Sequence, residues 1–189
     1  NQHWVISKNE VEAYVTYMEC VDDPNCDEAT MFPEYVIPDV ITNWPASHMD
    51  FDGTNEYLAP FIDVDGDGEY NNSDYPGYDL NAEGNCVEED YLFGDQSIWW
   101  VFNDAGNYHG ETGGTAIGVE IQAQAFAYKT NDELSDMTFY NYKIINRSTE
   151  TLNDTYFGQW VDPDIGNYED DYVGCDVNLG LGYCYNGDD

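Results

Sequence analysis

In the first 20 residues, the apolar positions Val11, Tyr14, Val15 and Met18 recur at the spacing of a single helical face. Ser7 stands where an N-cap belongs, and Glu10 three residues later completes a capping box, so the pattern predicts one short amphipathic helix. From 21 to 97 the periodicity gives way to Asp, Asn, Gly, Pro and Tyr, which predicts loops held by something other than long hydrogen-bond ladders. Strand patterns return after Ser97. IWWVF (98–102) has the length of a buried strand, and there Trp99 and Trp100 must face opposite sides. IGVEIQAQAFAYK (117–129) alternates Ile117, Val119, Ile121, Ala123, Ala125 and Ala127 against Glu120, Gln122, Gln124, Phe126 and Tyr128. TFYNYKII (138–145), TYFGQWV (155–161) and GLGYCYN near the end add three more strands. The small residues on one face of 117–127 predict close approach of a second layer there.

Consecutive strands with short polar connections imply an antiparallel meander closing into a sandwich. The expected fold is therefore mostly β, an antiparallel β-sandwich with a loop-rich first half and one short N-terminal helix. The simplest division is a single module over 1–189; the alternative separates a loop-rich region, 1–95, from a sandwich, 96–189. The abrupt end at NGDD leads us to expect that the gene product continues.

Charge changes the picture of the surface. The 39 acidic residues against four basic ones, Lys8, Lys129, Lys143 and Arg147, leave a formal charge of −35. Nucleic acid and anionic lipid are therefore poor partners. No apolar run approaches the roughly 18 residues that span a bilayer, so membrane insertion is not expected. Acidic disordered chains lack aromatic residues, whereas this one has 17 Tyr, eight Phe and five Trp, enough for a folded core. Asp outnumbers Glu, and short Asp side chains suit turns and hard-cation sites better than helices.

Five cysteines form two close pairs and a remainder. Cys20 and Cys26 flank VDDPN, and Cys175 and Cys184 bracket DVNLGLGY, so each pair is expected to form a disulfide across a turn. Cys86 is left over. The spacing fits no zinc site.

The strongest chemical motif is DVDGDGEYNNSD, residues 63–74. Asp63, Asp65 and Asp67 take positions 1, 3 and 5 of a twelve-residue calcium loop, where alternating carboxylates converge as the chain curls. Gly68 takes position 6, which needs a residue without Cβ. Glu69 offers its carbonyl at position 7, Asn71 acts through water at position 9, and Asp74 closes the shell at position 12. Oxygen-only ligands select a hard cation, and calcium is the expected cofactor. Pro76 and Gly77 follow directly, so no exiting helix can form, and the loop reads as a staple for the first half of the chain rather than a moving hand. The expected affinity is micromolar to millimolar, on the order of extracellular modules.

A second acidic cluster, Asp162, Asp164, Asn167, Asp170, Asp171 and Asp176, fits no single template and is a candidate metal site against a hydrogen-bonded acidic turn. Asp50, Asp52, Asn55 and Glu56 form a weaker candidate, and Asn103, Asp104 and Glu111 a weaker one again. No catalytic frame emerges. His3, His48 and His109 are dispersed, no G-x-S-x-G is present, and paired carboxylates are too common here to point to glycosidase chemistry. GETGGT (110–115) lacks the Lys of a phosphate loop and reads as a turn.

LFGDQSIWWVFND, ETGGTAIGVEIQAQAFAY, MTFYNYKIINRS and TYFGQWVDPDIGNYEDDYVGCDVNLGLGYCYNGD together resemble a region of large secreted or surface proteins of the Bacteroidota. Those proteins typically end in a sorting domain of the type IX secretion system. The resemblance covers roughly residues 57–189, and the calcium loop itself resembles that of dockerins, with Asp at position 12 and Asn at position 9. It implies export to the cell surface or extracellular matrix; the sorting domain it leads one to expect is not in this chain. The combined expectation is a secreted, calcium-stapled, non-enzymatic structural module that is adhesive or filament-forming, with self-association, other surface proteins or glycans as partners. A carbohydrate-binding module or an ancillary hydrolase domain is the alternative.

Overall fold

The computed structural model describes residues 2–49, 55–80, 85–87 and 91–187. It comprises two compact units, 1–149 and 150–189. The first opens with β1 (Trp4–Ser7) and α1 (Lys8–Asp22). Both halves of the capping box form: Glu10 N–H donates to Ser7 Oγ at 3.3 Å, and Ser7 N–H donates to Glu10 Oε2 at 2.8 Å. Val11 and Tyr14 on the predicted face of α1 are buried. The Cys20–Cys26 disulfide, Cα–Cα 5.3 Å, closes the turn that follows. Two single-turn helices come next, α2 (Glu28–Met31) and α3 (Asp39–Thr42).

The loop-rich stretch contains short ladders. β2 (Ser47–Met49) pairs with β3 (Asn55–Tyr57), and β4 (Phe61–Asp63) lies between β5 (Tyr75–Pro76) and β6 (Asn85–Val87). The main sheet is antiparallel, in the order β1, β7 (Gln96–Asn103), β8 (Val119–Ala127), β9 (Phe139–Asn146). The mostly β class with several antiparallel sheets and a short N-terminal helix is therefore as expected.

One core joins these layers. Ile6 of β1, Val11 of α1, Ile41 of α3, Phe61 of β4 and Trp99 of β7 belong to a single buried cluster, and each such side chain contributes about 1.5–3 kcal/mol by leaving water. β1 pairs with β7, so a boundary near residue 95 would cut the main sheet; the observed boundary falls at 149–150. Trp99 is buried opposite Trp4, whereas Trp100 is partly exposed, as their alternation requires.

The inward face of β8 differs from expectation. Trp99 lies opposite Gln124, so the core side of the sheet carries Gln122 and Gln124, and both are buried. Burial is tolerated because Gln124 Nε2 donates to Ser97 Oγ at 3.1 Å and Gln122 Nε2 donates to Glu120 Oε1 at 3.0 Å. Ala123 and Ala125 point the other way, between Trp100 and Tyr142 and between Ile98 and Tyr140. Both are buried as well, and their small size accommodates these cross-strand neighbours.

The second unit contains the hairpin β10 (Asp171–Asp176) and β11 (Leu181–Asn186), and no described residue from 150 to 187 is buried. Residues 155–161, expected as a strand, belong to no ladder. The expected Cys175–Cys184 bridge is also absent: both thiols are free. Cys175 pairs with Gly182 and Cys184 with Val173, a diagonal offset that separates positions by about 7–8 Å, beyond the usual disulfide span. Cys86 forms no disulfide with the other described cysteines.

Candidate metal centre

The acidic loop begins on the last residue of β4 and ends just before β5, so two paired, buried strands fix both of its ends. Its turns are built by the aspartates themselves. Asp63 Oδ1 accepts Gly66 N–H at 2.7 Å, and Asp63 Oδ2 accepts Gly68 N–H at 2.9 Å. Asp65 Oδ1 accepts Asp67 N–H at 3.2 Å, and Asp67 Oδ1 accepts Glu69 N–H at 2.7 Å. Gly68 has φ +80°, a left-handed conformation that side chains resist, and a Cβ there would approach the Tyr57 hydroxyl at 3.2 Å.

Asp63, Asp65 and Asp67 could hold a metal ion together. Each supplies a carboxylate oxygen, and these oxygens lie within 4.8 Å of one another, a span that fits opposite ligands at calcium–oxygen distances of about 2.3–2.6 Å. They are the one such convergent group among the described residues. Asn71 meets them with its nitrogen: Nδ2 donates to Asp65 Oδ2 at 3.0 Å and reaches Asp67 Oδ2 at 3.5 Å. That contact is the main reason the Asp65 carboxyl is held below its usual value. Its Oδ1 accepts instead from Ser73 N–H and Ser73 Oγ. An ion between Asp65 and Asp67 must therefore displace the Asn71 amide or turn it over.

Asp74 plays a different part from the shell-closing one. It is fully buried, Oδ1 accepts Val64 N–H at 2.9 Å, and Oδ2 accepts Asn71 N–H at 2.8 Å. Burial raises its pKa; the two amide donors oppose that shift, and the nearby Asp65 and Asp63 add to it. Asp74 is outside the convergent group and closes the loop through backbone amides.

Three tyrosines anchor the loop, and sequence reasoning did not single them out. Tyr57 Oη donates to Gly68 O at 3.0 Å, Tyr70 Oη donates from inside the loop to Ile41 O of α3 at 2.8 Å, and Tyr14 Oη of α1 donates to Asn72 O. Burial pushes the Tyr70 hydroxyl far above its usual range. The abundance of tyrosine was the available signal, but it did not say which ones.

The second candidate cluster does not converge. Asp171 Oδ2 accepts Ile165 N–H at 2.9 Å, Asn167 Oδ1 accepts Glu169 N–H at 3.3 Å, and Asp176 Oδ1 accepts the amides of Asn178 and Leu179 in the hairpin turn. Asp162 and Asp164 are exposed, and Asp170 Oδ1 is enclosed without a hydrogen-bond partner. Of the weaker candidates, Asp50 and Asp52 lie outside the described residues. Glu56 accepts Arg147 Nη1 at 2.9 Å, while Arg147 Nη2 reaches Glu120 Oε1 at 3.1 Å. Asp104 closes the 104–118 loop by accepting the amides of Ile117, Gly118 and Val119.

No protein-family model, curated protein or solved structure matched this chain in the three comparisons.

Proposed function

We propose that this protein is a non-enzymatic structural module of a bacterial cell surface or extracellular matrix, stabilised by calcium at Asp63, Asp65 and Asp67. The observation that carries the reading is the convergence of these carboxylates on a loop whose ends are fixed by buried strands. Packed carboxylates repel one another, and a divalent cation relieves that repulsion while drawing the loop together. The Glu69 carbonyl, the Asn71 side chain and water would fill further positions. A hard cation with flexible coordination, calcium rather than magnesium, suits this partly exposed site.

The address rests on the resemblance to exported Bacteroidota proteins, and two features support it. The Cys20–Cys26 disulfide suits an oxidising compartment, and a charge of −35 suits a salty exterior. Thermal unfolding in calcium and in EDTA tests the stabilising role. Calcium at 100 times Kd contributes about 2.7 kcal/mol, so chelation should lower the melting temperature by roughly 5–10 °C. An unchanged melting temperature would contradict it.

One observation favours carbohydrate binding as a second reading. Tyr172, Tyr183 and Tyr185 share one face of the β10–β11 hairpin, half-exposed, with the Tyr172 and Tyr185 rings stacked at 5.6 Å. A Cβ at Gly174 would collide with the Tyr183 ring, so that ring covers the glycine. A neutral sugar could stack on such a platform. Glycan-array binding that disappears on Tyr183→Ala would support this reading; an array without hits would remove it.

A further inference from the structure

A cleft of about 590 Å³ lies on the first unit, lined by the C-terminal half of α1, the acidic loop and β5. Its size falls in the range of roughly 300–1,000 Å³ that small-molecule sites occupy. Val15, Met18, Glu19 and Asp22 line it from one face of α1, at the spacing of helical neighbours.

The charge in the cleft is of one sign. Glu19, Asp22 and Asp23 line it and no basic residue does, and α1 has no basic residue in its last turn to offset the negative end of its dipole. Asp23 Oδ1 accepts the backbone and side-chain amides of Asn25. The Glu19 and Asp22 carboxylates have no hydrogen-bond or ion-pair partner among the described residues.

A buried hydroxyl adds an independent feature. Tyr75 is only 4% exposed and lines the cleft, yet its Oη has no hydrogen-bond partner among the described residues. Tyr14, which also lines the cleft, differs in donating its hydroxyl to Asn72 O. Native proteins rarely leave such a group unpaired, and an entering donor would satisfy it. Burial first, and then the nearby Asp79, Cys86 and Glu19, push the Tyr75 hydroxyl up to about 12. At neutral pH it is therefore uncharged, with lone pairs open to a donor.

We propose that this cleft binds a primary ammonium carried on an apolar stem. Glu19 and Asp22 supply the counter-charge, Tyr75 Oη accepts one N–H, and the stem lies along Val15, Met18, Val64 and Leu80. A quaternary ammonium has no N–H for Tyr75, and an anion would meet like charge. Asp63, Asp65 and Asp67 are not among the groups used, so the site stands whether or not the loop takes calcium.

The test titrates n-hexylammonium into the chain by calorimetry at about 0.15 M salt, where diffuse attraction to the acidic surface is screened. Binding should saturate at one site per chain, and hexanol and hexanoate should bind at least about tenfold more weakly. Glu19→Gln/Asp22→Asn and Tyr75→Phe should each weaken binding about tenfold, the scale of a charge-assisted hydrogen bond. Glu12→Gln/Glu34→Gln removes equal charge from exposed positions outside the cleft and should leave binding unchanged. Because Tyr75 Oη holds no partner among the described residues, Tyr75→Phe should keep the wild-type melting temperature. Absence of saturable binding, hexanol as tight as hexylammonium, or equal weakening by the Glu12 and Glu34 substitutions would each overturn the proposal. So would undiminished binding in either cleft variant, or a lower melting temperature in Tyr75→Phe.

Discussion

Asp74 accepts the amide of Val64 at 2.9 Å, so the last position of the acidic loop is fastened to its second from inside the protein. The same carboxylate holds Asn71 N–H at 2.8 Å, and the side chain is fully buried. Asp74→Ala leaves two amides without their acceptor, at about 1–3 kcal/mol for each one that stays dry. The variant should lose roughly 2–4 kcal/mol in urea unfolding even without calcium. A loss below about 0.5 kcal/mol, the level of an ordinary surface substitution, would show that the loop does not depend on this fastening.

Gly68 has φ +80° at the sharpest turn of the loop. Gly68→Ala introduces left-handed strain of about 1–2 kcal/mol and crowds the Tyr57 hydroxyl. We expect a lower melting temperature and weaker calcium binding. Gly66→Ala is the control: φ is +76°, but a Cβ there meets nothing within 4 Å, so its loss should be smaller. Equal losses would mean that the left-handed strain common to both positions sets the cost and that the Tyr57 contact adds nothing at position 68.

Asp104 accepts the amides of Ile117, Gly118 and Val119, and these bonds, led by that of Ile117, hold its carboxyl below the usual 3.8. A depressed folded-state pKa means that the contribution is complete above the unfolded value and is lost as pH falls through the lower, folded one. Amide protection at 117–119 should therefore persist through pH 3.8 and fall below it, and Asp104→Ala should remove it at every pH. Protection in that variant equal to wild type would assign the loop closure elsewhere.

The Cys20–Cys26 bridge closes a short loop at the end of α1, with a sequence separation of 6. Chain entropy makes such a closure worth about 2 kcal/mol. Cys20→Ser/Cys26→Ser should shift the urea midpoint accordingly and leave the calcium loop intact. Loss of all folded structure would mean that the bridge carries far more than a short loop can.

What was legible in the sequence is what is local. The α1 capping box and the calcium-loop spacing rest on side chains within a dozen residues of one another, so pattern alone predicts them. β8 was plain from alternation, and β7 and β9 from their apolar and aromatic runs, but neither pattern says which face is inward. On β8 that choice was made by Trp99, whose partner Trp4 is distant in sequence, and by Ser97, which pairs with Ile6 and gives Gln124 a partner. Residues 155–161 have a strand's composition without a neighbour in the described ladders, because pairing requires a partner that propensity cannot supply. The tyrosine anchors were hidden for the same reason: Tyr14, Tyr57 and Tyr70 reach carbonyls outside their own elements.

Calcium binding by the acidic loop is measured by isothermal titration of the calcium-stripped chain with calcium, run beside Asp63→Ala and Asp65→Asn/Asp67→Asn. The wild-type chain should show saturable binding in the micromolar to millimolar range typical of extracellular calcium modules. Each variant should lose that event, because Asp63, Asp65 and Asp67 supply the convergent oxygens. Absence of binding in the wild-type chain, or binding undiminished in both variants, would contradict it.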